Sequence, residues 1–313
     1  MNIFEEKEVF QKYFQVGYDF NTSTLSEEEI QEIKNLAEQK RVRYALAPLG
    51  EKVFDFIAES SPQIRLELVK LKSDIDGMLY IPQKGQDRAY LILNGEKPLI
   101  NQIFAAAHEY YHYIKDYDLI RKTPYVCNLS LLKNVNEKKA SRFAAEFLLP
   151  ENAIRNEMTR ICRVFGKEPK KLSFVEYAAF SFCLTIKYQL PLKAVIYRLL
   201  EEGYIKNIDD FINNYEVFKE VMLQIEISKE QIEHLYGSND RLLSNDSEIY
   251  RQMREAFDKG LVSREELLED AKRLDLNMEI IGVFVKRTDL EEEENDEDDK
   301  DLMSRIQEIW REG

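Results

Sequence analysis

His108, Glu109 and His112 stand in the run His108-Glu109-Tyr110-Tyr111-His112, at the end of a helical stretch that begins near Asn101. Residues four apart on an α-helix lie one turn apart on the same face. Two imidazoles placed that way can grip one Zn²⁺. A carboxylate beside them can take the proton of a water whose pKa the metal lowers towards ~7, then pass it to a leaving amine. That is the chemistry of metal-assisted peptide hydrolysis, with His108 and His112 as ligands and Glu109 as general base. The chain has only 3 histidines in 313 residues, and a chance HExxH arises in roughly 0.3% of such chains. Phe104, Ala105, His108, Tyr111 and His112 share one helical stripe. Both imidazoles are therefore predicted to face inward, where buried polar groups need partners.

An open zinc site takes a third protein ligand. A second helix is predicted over residues 136–149, stopped by Pro150, with the apolar stripe Ala140, Phe143, Ala144, Phe147, Leu148. Glu137 falls on that stripe and is the predicted third ligand, giving one Zn²⁺ per chain. Glu146, about half a turn round the wheel from Glu137, is predicted to face solvent. Ser141 lies one turn after Glu137 and Asp116 one turn after His112, so each is placed to hydrogen-bond a ligating imidazole from behind. The oxyanion-stabilising group stays open between nearby Tyr111 and Tyr113, another tyrosine, and His234 in a polar, solvent-facing helix.

Other elements must hold these residues in place. Ser26 and Glu29 form a capping box that opens a helix through about Ala45, and Pro48-Leu49-Gly50 breaks it. A second helix is predicted over residues 51–60. Three strand-like runs follow at 64–68, 78–81 and 89–93, separated by turn residues, and predict a small antiparallel sheet. From Ile100 the pattern is helical to about Lys272, with a last strand over 280–285. Helices over 248–259 and 264–274, the second opened by Ser263 and Glu266, have a balanced to acidic charge and read as a structural or protein-contact module rather than a DNA reader. The expected class is α+β, mostly α-helical. The expected domains are an N-terminal helical segment (1–49), a catalytic domain (50–155), a helical C-terminal domain (156–288) and an acidic disordered tail (289–313).

Composition narrows the function further. Hydrophobic residues make up 44% of the chain and the net charge is −14. Residues 289–301 carry ten acids and one lysine, so the body is nearly neutral and the excess sits in the tail. No nucleic-acid partner is expected from such a charge distribution, nor a membrane partner, since no apolar run is long enough to span one. No secretory signal is read at the N-terminus. Cys127, Cys162 and Cys183 are too few and scattered for a disulfide framework and fit reduced thiols in a cytoplasmic protein. Trp310, in a short amphipathic stretch beyond the acidic run, suggests a protein-docking tail.

Two stretches together resemble a known family. Phe104-Ala-Ala-Ala-His-Glu-Tyr-Tyr-His112 is similar to the F-x-x-A-H-E-x-x-H helix of the ImmA/IrrE metallopeptidases. Glu137-Lys-Lys-Ala-Ser-Arg-Phe-Ala-Ala-Glu-Phe-Leu-Leu-Pro150 is similar to their E-x-x-A-N-x-F-A-A-x-L-L-M-P helix. The likeness extends over about residues 50–206. It implies a zincin-like, gluzincin-type fold in which His108, His112 and Glu137 hold zinc and Glu109 is the base. It also implies a cytoplasmic zinc metallo-endopeptidase acting on a regulatory protein such as a helix-turn-helix transcriptional repressor. Three positions depart from the family: Tyr111 replaces a small glycine, Ser141 replaces an asparagine or aspartate, and Asn101, Gln102 and Ile103 replace basic residues. The alternative is a non-catalytic module that grips a partner through the old zinc scaffold. The intact base Glu109 argues against it. A purely structural zinc is disfavoured by three visible ligands with no cysteine among them.

Overall fold

The computed structural model describes residues 24–70, 75–82, 88–122, 135–208, 229–237 and 259–273. It also describes Tyr18, Phe20, Asn21, Phe211, Asn214, Glu216, Val221, Met253 and residues 255–257. The element order is α1 (Glu27–Lys40), α2 (Lys52–Ser60), β1 (Ile64–Val69), β2 (Gly77–Tyr80), β3 (Ala89–Asn94), α3 (Leu99–Lys115), α4 (Tyr117–Lys122) and α5 (Val135–Leu148). Then follow α6 (Glu151–Phe165), a 3₁₀ turn (Pro169–Lys171), α7 (Phe174–Tyr188), α8 (Leu192–Glu201), α9 (Lys229–Tyr236) and α10 (Arg264–Arg273). Among the described residues this is an α+β architecture with one three-stranded sheet, followed by helices. The sequence-predicted strand at 280–285, most of the helix at 248–259, the acidic run, Trp310 and Cys127 lie outside the described residues. Among the described residues, no helix is long and apolar enough to cross a membrane.

The sheet corrects one expectation. Its order is β1-β3-β2, with β2 antiparallel to β3 but β1 parallel to it, in the register Ile64↔Ala89 to Val69↔Asn94. The sheet is mixed, not antiparallel. The cause is burial. Every residue of β3 is buried, as suits the strand that lies between the other two with both faces covered. Ala89, Leu91 and Leu93 face the main core, while Tyr90 and Ile92 face a second cluster with Leu267 and Ala271 of α10. Turn residues mark where the chain reverses and are silent about which strand lies between the others. Asn94 extends the β2–β3 pair: its backbone N–H donates to the Asp76 carbonyl (2.9 Å) and its side chain donates to the Ile75 carbonyl (3.0 Å).

α3 is buried on every side from Leu99 to His112, the mark of a central helix rather than a surface one. It packs on β2 and β3 below, and against α2, α5 and α9. The small run Ala105-Ala106-Ala107 lets the sheet come close. A Cβ at Gly77 would meet the Ala105 Cβ at 3.1 Å and the Ile92 carbonyl at 3.2 Å, so glycine sets how near β2 lies to the motif helix. The full burial of Leu91 and Leu93 on the face of the sheet beneath stabilises this packing by about 1.5–3 kcal/mol each.

α1 opens with the expected capping box: Glu29 N–H donates to Ser26 Oγ (3.2 Å), and Ser26 N–H donates to the Glu29 carboxylate (2.8 Å). It ends at Lys40 rather than near Ala45. Ala45 takes a left-handed backbone (φ 44°), and the Arg41 side chain donates to the Ala45 (2.8 Å) and Ala47 (2.7 Å) carbonyls. The turn's carbonyls are satisfied without further helix.

Candidate metal centre

α3 and α5 cross so that His108, His112 and Glu137 converge, all three buried. His108 Nε2 lies 3.1 Å from one Glu137 oxygen, and His112 Nε2 lies 3.3 Å from the other. The two imidazole Nε2 atoms are 3.3 Å apart. A tetrahedral zinc with bonds of about 2.0–2.1 Å holds its donors about 3.3 Å from one another. The two nitrogens are spaced as the ion requires, each has one oxygen of the Glu137 carboxylate at a similar distance, and this two-histidine, one-carboxylate set leaves a position for water or substrate. The residues fit the metal.

The groups behind the donors are also in place. His112 Nδ1 is 2.7 Å from Asp116 Oδ2, and Asn136 donates to the other Asp116 oxygen (3.3 Å). Ser141 Oγ is 3.4 Å from His108 Nδ1. Each contact leaves the opposite nitrogen, Nε2, directed at the cluster. Burial alone would lower the His112 pKa. The hydrogen bonds to Asp116 and Glu137, with the charge of Glu109 nearby, raise it to about 10. Burial would raise the Glu137 carboxyl, but the two imidazoles outweigh it and hold it far below the usual carboxylate range. Glu109 itself is buried at 1% exposure on the next position of α3, near enough to act on His112 electrostatically.

Glu146 corrects a second expectation. It is buried, not solvent-facing, at 4% exposure. Its carboxylate pairs with Arg142 (2.8 Å) and with Arg198 of α8 (2.8 Å), and accepts from the Glu151 backbone N–H (2.9 Å). The helical wheel puts it opposite Glu137 correctly, but α8 covers that side of α5 as well. Burial would raise its pKa, yet Arg198 and Arg142 prevail and the net shift is downward. Arg198 also serves the end of α5, donating to the Leu149 carbonyl (3.2 Å), and Arg41 donates to the Phe147 carbonyl. These are carbonyls that Pro150 leaves without helical partners.

Of the open oxyanion candidates, Tyr111 lies beside the site, its ring edge-on to that of His112 at 6.0 Å. His234 is half-exposed on α9 and pairs with Glu51. Tyr111 packs its ring on Phe143, 5.4 Å between centroids. Tyr113 stacks on Tyr110 and meets Tyr117 edge-on. A tyrosine from the N-terminal side reaches the centre as well. The Tyr18 ring lies 4.8 Å from the His108 ring. No spacing rule connects residues ninety positions apart, so nothing in the sequence pointed to it.

The comparison with protein families bears on this same region. Residues 65–163 match the family described as the IrrE N-terminal-like domain. An IrrE/ImmA-like metallopeptidase domain is present. The matched span runs from β1 into α6, so it contains the sheet, the motif helix α3 and the ligand helix α5. With the His108–His112–Glu137 cluster inside it, the IrrE-like domain is that of a zinc metallopeptidase. A search of curated proteins finds no match to the chain.

Proposed function

We propose that this protein is a zinc-dependent endopeptidase that cuts a regulatory protein, a helix-turn-helix transcriptional repressor being the substrate class, inside the cytoplasm. The observation that carries the reading is the His108–His112–Glu137 donor set at zinc spacing with the Glu109 carboxylate on the adjoining residue of the same helix. A zinc ion held there supplies Lewis acidity, lowering the pKa of a water and polarising the scissile carbonyl. In this reading Glu109 takes the proton of the attacking water and returns it to the leaving amine. Asp116 keeps His112 in the tautomer that presents Nε2, and Ser141 does the same for His108. The buried setting excludes bulk water, which strengthens each charge interaction at the reacting bond. The repressor substrate is supported by the family likeness, and the acidic tail with Trp310 is proposed as a protein-docking element.

The test compares zinc-loaded wild type with Glu109→Gln against repressors encoded by neighbouring genes. Cleavage is expected to fall by about 10²–10⁴-fold in the variant, with one zinc retained in both. Equal cleavage by the two proteins sinks the reading. Wild type that grips a repressor without cutting it, with Glu109→Gln functioning normally in cells, establishes the partner-binding module instead.

A further inference from the structure

The N-terminal segment ahead of α1 lies outside the matched domain, yet it touches the metal centre. Tyr18 rests on two side chains one turn apart on α3: its ring is 4.8 Å from His108, tilted 45°, and 4.9 Å from Phe104. Two residues on, Phe20 meets Phe104 edge-on at 5.1 Å and Tyr197 of α8 at 5.7 Å, with the Lys193 ammonium over its face. Tyr18 and Phe20 are both buried. Lys138 of α5 then reaches Thr24 (3.2 Å). The segment is thus laced to the motif helix, the ligand helix and α8, with its first described aromatic ring against a metal-binding imidazole.

A ligating histidine must have its ring plane fixed before it can aim a lone pair. The terminal side-chain torsion of histidine is broad and does not do this by itself. A strong hydrogen bond at the far nitrogen usually does. His112 has such a bond, 2.7 Å to a carboxylate. His108 faces a neutral hydroxyl at 3.4 Å, longer than a well-formed hydroxyl hydrogen bond. The Tyr18 ring lies against the His108 ring as well, so packing shares in fixing its orientation.

We propose that Tyr18 is a positioning residue of the metal centre, acting through His108, so that zinc affinity depends on the seating of the N-terminal segment. The proposal rests on the zinc reading above. It is tested on the full chain by chelator competition for zinc and by the visible absorption of the Co²⁺-substituted protein. Wild type, Tyr18→Ala, Tyr18→Phe and Tyr18→Leu are compared, and unfolding of each metal-free protein is followed in parallel. Tyr18→Ala is expected to weaken zinc about tenfold, as loss of an outer-sphere partner does, and to shift the cobalt spectrum. Tyr18→Phe is expected to restore both, because the ring makes the contact.

Zinc affinity and cobalt spectrum unchanged in Tyr18→Ala, whatever its loss of stability, overturn the proposal and leave Tyr18 a packing residue. Tyr18→Phe as weak as Tyr18→Ala also overturns it, since the hydroxyl would then be the operative group. If Tyr18→Ala does not fold, Tyr18→Leu is read by the same criteria, being of similar volume without the ring. A wild type that takes up neither metal overturns the zinc reading together with this one. A wild type that binds while Tyr18→Ala binds equally well overturns this one alone.

Discussion

Replacing Glu146 by alanine takes one carboxylate partner from each of two buried arginines. Arg198 is fully buried and Arg142 is 2% exposed, and Glu146 faces both. Removing one partner of a buried pair typically costs about 3–5 kcal/mol, because the remaining charge stays desolvated. Two features place this case at the lower end. Arg198 keeps Glu201 at 2.7 Å and Glu202 at 3.0 Å, and Arg142 keeps Glu201 at 3.4 Å. The crowded acids also lose a neighbour, whose repulsion contributes to raising the Glu202 pKa, after burial as the main cause. Against that, α6 loses the carboxylate that accepts its first N–H (2.9 Å), in a helix whose N-cap, Pro150, offers no side chain for the purpose. A lost cap costs about 1 kcal/mol.

The sum is about 4 kcal/mol, a large part of the roughly 5–15 kcal/mol that holds a domain together. At about 2–4 °C per kcal/mol the melting point falls by on the order of 10 °C. Urea unfolding in excess chelator measures the loss without a metal contribution, and metal analysis of the native variant should still find one zinc. Glu137→Ala is the contrasting case, with zinc lost. A Glu146→Ala protein within about 0.5 kcal/mol of wild type, or one that loses its zinc while Glu137→Ala keeps it, refutes the assignment of these two carboxylates.

Acid should erase the same contribution. The folded Glu146 pKa is depressed, so just below pH 4.5 the unfolded chain binds more protons than the native one and stability falls with pH. The stability gap between wild type and Glu146→Gln should therefore be widest above pH 4.5 and shrink on acidification; a gap constant from pH 7 to 3 would contradict the ion-pair account. In the metal-free protein His112 titrates at about 10, so zinc uptake at pH 7 must displace its Nε2 proton. About one proton per zinc should appear in weakly buffered solution, with affinity rising about tenfold per pH unit between 7 and 9, and zinc uptake with no proton release would show His112 to be neutral beforehand. Leu267 is 1% exposed on the outer face of the sheet. Leu267→Ala should cost about 2–5 kcal/mol and leave zinc content unchanged, and a loss under about 1 kcal/mol would mean that α10 is not part of the cooperative fold.

Much of the architecture was legible because its signals are local. The capping boxes at Ser26/Glu29 and Ser263/Glu266 need only three-residue spacing, and both are formed. The three strands announce themselves by short apolar runs between turn residues. What failed is what depends on a third body. Whether β1 pairs parallel or antiparallel depends on which strand occupies the centre, and the apolar content of β3 decides that only when both faces of the sheet are covered. Glu146 looked exposed because a wheel drawn for one helix sees one neighbour, and α5 has α3 on one side and Arg198 of α8 on the other.

By itself the sequence picked out the candidate donor set. Helical periodicity dictates that His108 and His112 share a face, that Asp116 lies one turn beyond them, and that Glu137 sits on the apolar stripe of its own helix. Those are consequences of 3.6 residues per turn, and no partner can change them. Only the tertiary structure decided that the two helices cross where Nε2 and carboxylate oxygens come within 3.1–3.3 Å. It alone brought Tyr18, ninety residues upstream, onto the His108 ring and closed α10 over the outer face of the sheet. Contacts between segments far apart in the chain follow from the shapes that pack together, and pairwise spacing along the sequence carries no record of them.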